Sequence, residues 1–408
     1  MVMVMFLKNL MPYKKAKEIV FKRLEKLATE KVKLIPIYEA YNKISSEDIL
    51  SPEDLPMFNR AAMDGYGVIA EDTFGASETN PIILDLLGDP HKPVREGQCV
   101  KLSTGMATPE GVNAVVMKEY CREGEGFVEI REGVRPYENI CKVGEDIKKG
   151  DLILKRGDVI TPYHIGILSS LGIRYIRTYD LSVGVVSTGD ELVDLEDFSS
   201  IEELKRKKKY IINSNTPMFY ALIKELGFSP KIYKSVGDNK EEIKEALLKS
   251  IEENDIVITT GGTSVGDRDY TVEVVKDIGK LIIHGVQIRP GKPFGFGRCS
   301  LGEKEVLLYI LSGYPVAAVV QFELFLRNYF RSRRSIYLPL ARSVPSTPGR
   351  TDVVRVKLVS ENKRTYVEPL RIKGSGILSS LKDGDGYIII DENVEGYEKG
   401  EYVKVYLF

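Results

Sequence analysis

Between about residue 179 and residue 331, apolar runs of strand length alternate with amphipathic runs of helix length. LSVGVVST, FSPKIYKSV, DIVITT, KLIIHGV and VLLYIL read as strands. Residues 216–226, 239–252, a segment opening near 270 and another opening at Val316 read as helices. Such alternation builds a parallel sheet covered by helices on both faces. In sheets of that kind ligands collect beyond the carboxyl ends of the strands. The residues that follow each strand are therefore where chemistry is expected.

The flanking regions have a different texture. Residues 12–29 repeat apolar positions at helical spacing (Ala16, Ile19, Val20, Leu24, Leu27). From 46 to 140, short β runs such as PIILDLL, CVKLST, AVVMKEY and FVEI are punctuated by Gly, Pro and Asn, which reads as a compact β unit. Residues 141–178 hold a Gly-rich turn, a strand DLILKRG and a helix opened by Thr161 and Pro162. The tail, 332–408, returns to short strands and reads as a small β-barrel or sandwich. The expected fold class is multidomain α/β plus β.

Composition narrows the function classes. Apolar residues make up 43% and charged residues 29%, which excludes wholesale disorder. Lys+Arg (58) balances Asp+Glu (59), which argues against a nucleic-acid binder. The basic run 205–209 reads as a solvated loop. Residues 306–322 carry no charge and approach the roughly 20 residues of a membrane span. Ser312-Gly313-Tyr314-Pro315 breaks the run, so it reads as strand, turn and helix, in a soluble cytoplasmic protein. Three His (91, 164, 284) and four Cys without C-x-x-C spacing leave no zinc pattern, and the His read as structural. Cys99, Cys121 and Cys141 read as free thiols, with a disulfide as the alternative. Abundant Lys and Glu, three Gln and no Trp resemble proteins that work at high temperature.

Five strand ends carry equipped loops. They are Thr188-Gly189-Asp190-Glu191, Gly237-Asp238, the segment 259–269 (TTGGTSVGDRD), Arg289-Pro290-Gly291-Lys292-Pro293, and Ser312-Gly313-Tyr314-Pro315. Gly261, Gly262, Thr263 and Ser264 let backbone N–H groups approach a phosphate closely. Asp190, Glu191, Asp238, Asp267 and Asp269 are hard oxygen ligands of the kind that hold Mg²⁺ beside a phosphate. Arg289 and Lys292 supply positive charge for an oxyanion. Asp238, and either Asp267 or Asp269, equally suit helix N-caps. The set points to a phosphate-containing ligand, without a P-loop signature.

TTGGTSVGDRDY, STGDEL, RPGKPFGFG and SGYPVAA, together with AAMDGYGV (61–68), LSTG (102–105) and GSGILSSL (374–381), resemble the MoeA/gephyrin E-domain family, the molybdopterin molybdenumtransferases. The resemblance covers essentially the whole chain. It implies an elongated, L-shaped homodimer with four domains per subunit: 1–45 with 141–178, then 46–140, 179–331 and 332–408. It implies insertion of molybdate into adenylylated molybdopterin with release of AMP, downstream of a molybdopterin adenylyltransferase. On this reading Glu191, Asp238 and Asp269 hold Mg²⁺. Asp64, with Thr104, enters the partner subunit's cleft. Arg289, Lys292, Pro293, Arg350 and Ser379 receive molybdate, and Ser312, Gly313 and Pro315 border the cofactor. Two motifs depart from the family. The usual K-P-G-K-P reads R-P-G-K-P, so a planar guanidinium replaces a point charge. The usual P-G-N-P reads S-G-Y-P and loses its Asn. Tungstate shares the shape and charge of molybdate, and the sequence does not choose between them. A related adenylyltransferase and a non-catalytic cofactor carrier are the alternatives.

Overall fold

The computed structural model describes residues 10–197, 199–207, 210–262, 269–370 and 377–408. Thr263, Ser264 and Asp267 lie outside the described residues. The chain divides into two compact units, one of residues 48–155 with 162–174, the other of the described remainder.

The larger unit is built on a six-stranded sheet in the order Ser229–Ile232, Ser182–Ser187, Ile256–Thr260, Lys304–Leu311, Gly295–Leu301, Lys280–His284. The first four strands are mutually parallel, as the alternation predicts. Gly295–Leu301 is antiparallel to both neighbours, so the sheet is mixed rather than wholly parallel. It forms a hairpin with Lys304–Leu311, turning at Gly302. Sequence periodicity misses this strand because its glycines blur the apolar pattern. Residues 306–311 are all buried, and the chain then turns at 312–314 into helix Pro315–Phe322. The charge-free run is thus a strand and a core helix. Among the described residues no helix is long and apolar enough to cross a membrane.

Helices cover both faces of the sheet. On one face, Ile243, Leu247 and Ile251 of helix Lys240–Glu253 and Val272, Val274 and Val275 of helix Tyr270–Ile278 pack on Val186, Val257, Leu308 and Ile310. On the other, helix Tyr13–Glu30 buries Ala16, Val20, Leu24 and Leu27, the stripe read from the sequence, in a core with Phe219, Phe294, Phe322 and Phe325. Phe294 and Phe325 stack at 4.1 Å. Lys205 to Lys207 close helix Ile201–Lys207, so that part of the basic run is helical rather than loop.

The tail is a barrel. Thr351–Glu361, Gly386–Ile390, Tyr402–Leu407 and Ser335–Pro339 pair in that order, and Arg364–Pro369 pairs with Thr351–Glu361 on its other side. A bridge from Leu340 to Val367 closes the circuit, so no long edge is left unpaired among the described residues. In the smaller unit, strands Ala114–Met117, Gly65–Val68, Gln98–Leu102, Ile82–Leu87, Phe127–Ile130 and Cys121–Glu123 form a six-stranded sheet of their own around Leu84, Cys99, Val116 and Val128. All four cysteines are free thiols.

Gly184, in the middle of its strand, lets helix Lys240–Glu253 lie close. A Cβ there would collide with Ser250 Oγ. Gly184→Ala is expected to cost about 1–3 kcal/mol through overpacking, read as a lower midpoint in chemical denaturation. An unchanged midpoint would show that the helix can retreat at no cost.

Candidate functional site

All the parallel strands, and Lys280–His284 with them, point their carboxyl ends at one edge of the sheet. The loops beyond that edge pack glycine against backbone. Gly261 adopts φ 101°, and a Cβ there would collide with the Thr188 carbonyl oxygen. Gly313 rests on Gly261, with a built Cβ 3.4 Å from Gly261 Cα. No side chain fits at Gly261, which leaves the peptide groups there as part of the lining. Beneath them Ser187 Oγ lies 2.9 Å from both Thr216 Oγ1 and Thr260 Oγ1, a buried hydroxyl cluster at the floor. Thr188 is 2% exposed and lies 3.5 Å from the Thr271 hydroxyl.

The carboxylates at this edge divide into ties and open groups. Asp190 Oδ1 accepts the Asp238 backbone N–H at 2.9 Å and so joins two loops. Asp194 does the same, accepting from Asn213 Nδ2 (2.9 Å), Ser235 N–H (2.8 Å) and Ser235 Oγ (2.9 Å). Asp269 caps helix Tyr270–Ile278 through the Val272 N–H (3.2 Å), and its other oxygen lies 3.5 Å from His284 Nε2. Asn239, not Asp238, caps helix Lys240–Glu253. That frees the exposed Asp238 carboxylate, and the exposed Glu191 folds back beside Gly189. Among the described residues no three His, Cys, Asp or Glu groups gather into a metal cluster. Magnesium does not require one, since it takes one or two carboxylates and completes its shell with water and phosphate. The hard, open oxygens of Glu191 and Asp238 fit that chemistry.

Strand pairing ties the loop that carries Arg289 to the segment that follows Arg350. Ile288–Arg289 runs parallel to Thr351–Glu361, with Ile288 opposite Thr351 and Arg289 opposite Asp352. The buried Asp352 carboxylate accepts from Arg350 Nε at 2.8 Å, and Arg350 Nη2 reaches Thr347 Oγ1 at 3.3 Å. The α/β loop carrying Arg289, Lys292 and Pro293 is thereby stitched to the barrel residue Arg350. Ser379 opens the short helical turn Ser379–Lys382 and is exposed.

Asp64 and Thr104 lie in the smaller unit. The Thr104 backbone N–H (2.8 Å) and hydroxyl (3.0 Å) both donate to Asp64 Oδ1, and Lys118 Nζ lies 3.6 Å from Oδ2. The Thr104 N–H, its hydroxyl and, more weakly, Lys118 hold the Asp64 carboxyl below the ordinary range. Sequence reasoning missed Lys118, Asp194, Asn215 and Gln321. Asn215 Nδ2 donates to the Gly313 carbonyl at 2.9 Å, and Gln321 joins the 289–293 and 312–315 loops. The scarcity of glutamine was the one available signal for Gln321.

Family models cover nearly the whole chain. Residues 11–172 match the MoeA N-terminal region (domain I and II), 184–332 a probable molybdopterin binding domain, and 337–408 the MoeA C-terminal region (domain IV). The chain belongs to the MoeA family. A putative molybdopterin biosynthesis protein of Methanocaldococcus jannaschii is 55% identical over 98% of this chain and 99% of its own length. A molybdopterin molybdenumtransferase of Haemophilus influenzae is 30% identical over 90% and 92%. The crystal structure of a molybdopterin biosynthesis MoeA protein from Pyrococcus horikoshii superimposes with a TM-score of 0.77 at 32% identity, covering 98% of this chain and 100% of that one. Family membership accounts for the mixed sheet, the barrel and the second β unit together.

The depressed Asp64 carboxyl contributes stability above its unfolded-state pKa, and this is lost as pH falls through the lower folded value. Thr104→Val deletes the hydroxyl donor but keeps the backbone N–H. The Asp64 titration, followed by carbon NMR, is expected to move part of the way up toward 3.8. No movement would mean that the hydroxyl bond is absent in solution.

Proposed function

We propose that this chain inserts molybdate, or the isosteric tungstate, into the dithiolene of adenylylated molybdopterin and releases AMP. It acts in the cytoplasm as a homodimer, downstream of a molybdopterin adenylyltransferase. The observation that carries the reading is the stitch between Ile288–Arg289 and Thr351–Asp352. It supports a cationic receptor for a tetrahedral oxyanion beside glycine-lined loops suited to a phosphate.

Each residue has a physical task. Arg350, held by Asp352, presents a guanidinium in a set direction, and Arg289 and Lys292 add charge from the adjoining loop. Pro293 stiffens that loop, and Ser379 offers a hydroxyl to the same anion. The peptide groups around Gly261, Gly262 and Gly313 receive the cofactor's phosphate, with Thr188 and Ser312 behind them. Glu191 and Asp238, with Asp269, would hold magnesium, which when bound neutralises charge on the adenylyl phosphate. Asp64, kept ionised by Thr104, suits orienting a water or taking up its proton, from the partner protomer's unit. An oxygen of water, its proton taken up by Asp64, or of a molybdate oxo group, whose Mo–O bond then breaks as the dithiolene sulfurs bind molybdenum, bonds to the adenylyl phosphorus and the phosphoanhydride P–O bond breaks. The pterin phosphate leaves with that electron pair, and AMP carries the new oxygen.

Mixing the protein with adenylylated molybdopterin, molybdate and magnesium is expected to yield AMP and metal-loaded pterin by mass spectrometry. Asp64→Asn and Glu191→Ala should each slow AMP release by about 100-fold or more, the usual scale for removing an acid–base or charge-stabilising group. Full transfer activity in both would refute these roles. Formation of adenylylated pterin from ATP instead would mark an adenylyltransferase. Light scattering should report twice the 45.8 kDa chain mass. A monomer would contradict the shared site.

A further inference from the structure

We propose that Gln321 is a positioning residue that couples the oxyanion loop to the cofactor loop, an inference that rests on the function proposed above. Gln321 is fully buried in helix Pro315–Phe322. Its amide is used at both ends. Nε2 donates to the Gly291 carbonyl at 2.7 Å, and Oε1 accepts the Ser312 backbone N–H at 2.8 Å. The direction is forced, because a carbonyl only accepts and a backbone N–H only donates. Gly291, at φ 109°, lies flat on the side chain, and a Cβ there would be 2.9 Å from Gln321 Cγ.

Gly291 sits between Arg289 and Lys292, and Ser312 opens the S-G-Y-P turn. One side chain rooted in a buried helix therefore sets the spacing between the cations and the peptide-lined cradle. A transfer between two bound anions depends on such spacing, since small displacements of reacting groups cost large factors in rate. The amide occupies a place where hydrophobic packing alone would accept Leu or Met. A buried amide is tolerated there only because both its ends are paired.

Gln321→Glu and Gln321→Met separate positioning from packing. Burial raises a glutamate's pKa. When protonated, the introduced carboxyl donates O–H to the Gly291 carbonyl and accepts from the Ser312 N–H, as the native amide does. When ionised it only accepts, and it opposes the Gly291 carbonyl. Gln321→Met fills the volume and makes neither bond. Molybdate affinity is measured by calorimetry on the magnesium-loaded protein, and molybdate KM from AMP release, both relative to wild type at each pH. Gln321→Met should weaken molybdate by about tenfold across the range, about the worth of one net hydrogen bond. Gln321→Glu should approach wild type as pH falls from about 8 to about 6, the range in which a buried carboxyl recovers its proton. Should Gln321→Met not fold, Gln321→Glu at its own low pH serves as the reference. Wild-type affinity in both variants, or equal losses at every pH, overturns the positioning role. A wild-type protein that neither binds molybdate nor releases AMP overturns the functional reading itself, and this control distinguishes the two failures.

Discussion

The larger unit depends on the burial of two runs of the chain, residues 306–312 and 316–327, on either side of an exposed turn at 313–314. Strand Lys304–Leu311 lies inside the sheet, with neighbours on both edges and side chains on both faces. The helical run that follows is enclosed between the sheet and helix Tyr13–Glu30, whose Tyr13 packs edge-on against Phe325 at 5.8 Å. A segment enclosed on every side must satisfy its polar groups internally, because water is not there to do so. Glu323 and Arg327 are 2% and 1% exposed and form an ion pair at 3.0 Å. Arg333 joins Glu323 at 2.8 Å, and Glu225 bonds both arginines. Removing one member of such a network strands a buried charge, which costs far more than the network contributes as a whole.

The same constraint reaches the site. Because every strand of the sheet except Gly295–Leu301 ends at one edge, the loops that follow are crowded together. They are held by short pairings, Leu192–Val193 with Ile211–Ile212 and Ile288–Arg289 with Thr351–Glu361, and by side chains: Asp190 and Asp194 across one side, Asn215 and Gln321 across the other. Carboxylates of neighbouring number thus have different work. Asp190 is consumed by a backbone N–H, while Glu191 remains open among the described residues. The loss of Asn from the family's P-G-N-P turn falls where Asn215 and Gln321 grip the turn from outside.

The barrel contributes through a two-residue splice. Ile288–Arg289 leaves the α/β layer to lie beside Thr351–Glu361, and Asp352 anchors Arg350 at that point. The segment beside Arg350 is thereby tied to the Arg289 loop by backbone pairing, a stiffer link than a surface ion pair.

Strand and helix identity was legible because burial on one or both faces imposes a period of two, a period of 3.6 or an unbroken apolar run. The motif residues at the strand ends were legible for the same reason, since strand direction fixes which edge they occupy. Hairpin strand Gly295–Leu301 escaped because its pattern is set by contact: a Cβ at Gly295 would meet Ile310 at 2.9 Å, and one at Gly297 would meet the Lys280 carbonyl at 2.9 Å. Nor could periodicity distinguish Asn239 from Asp238 as the cap, an open carboxylate from a tied one, or Gln321 from any other buried helix residue. Those outcomes depend on which backbone N–H or carbonyl from a distant loop arrives within hydrogen-bonding distance. That is settled only when the whole core has closed.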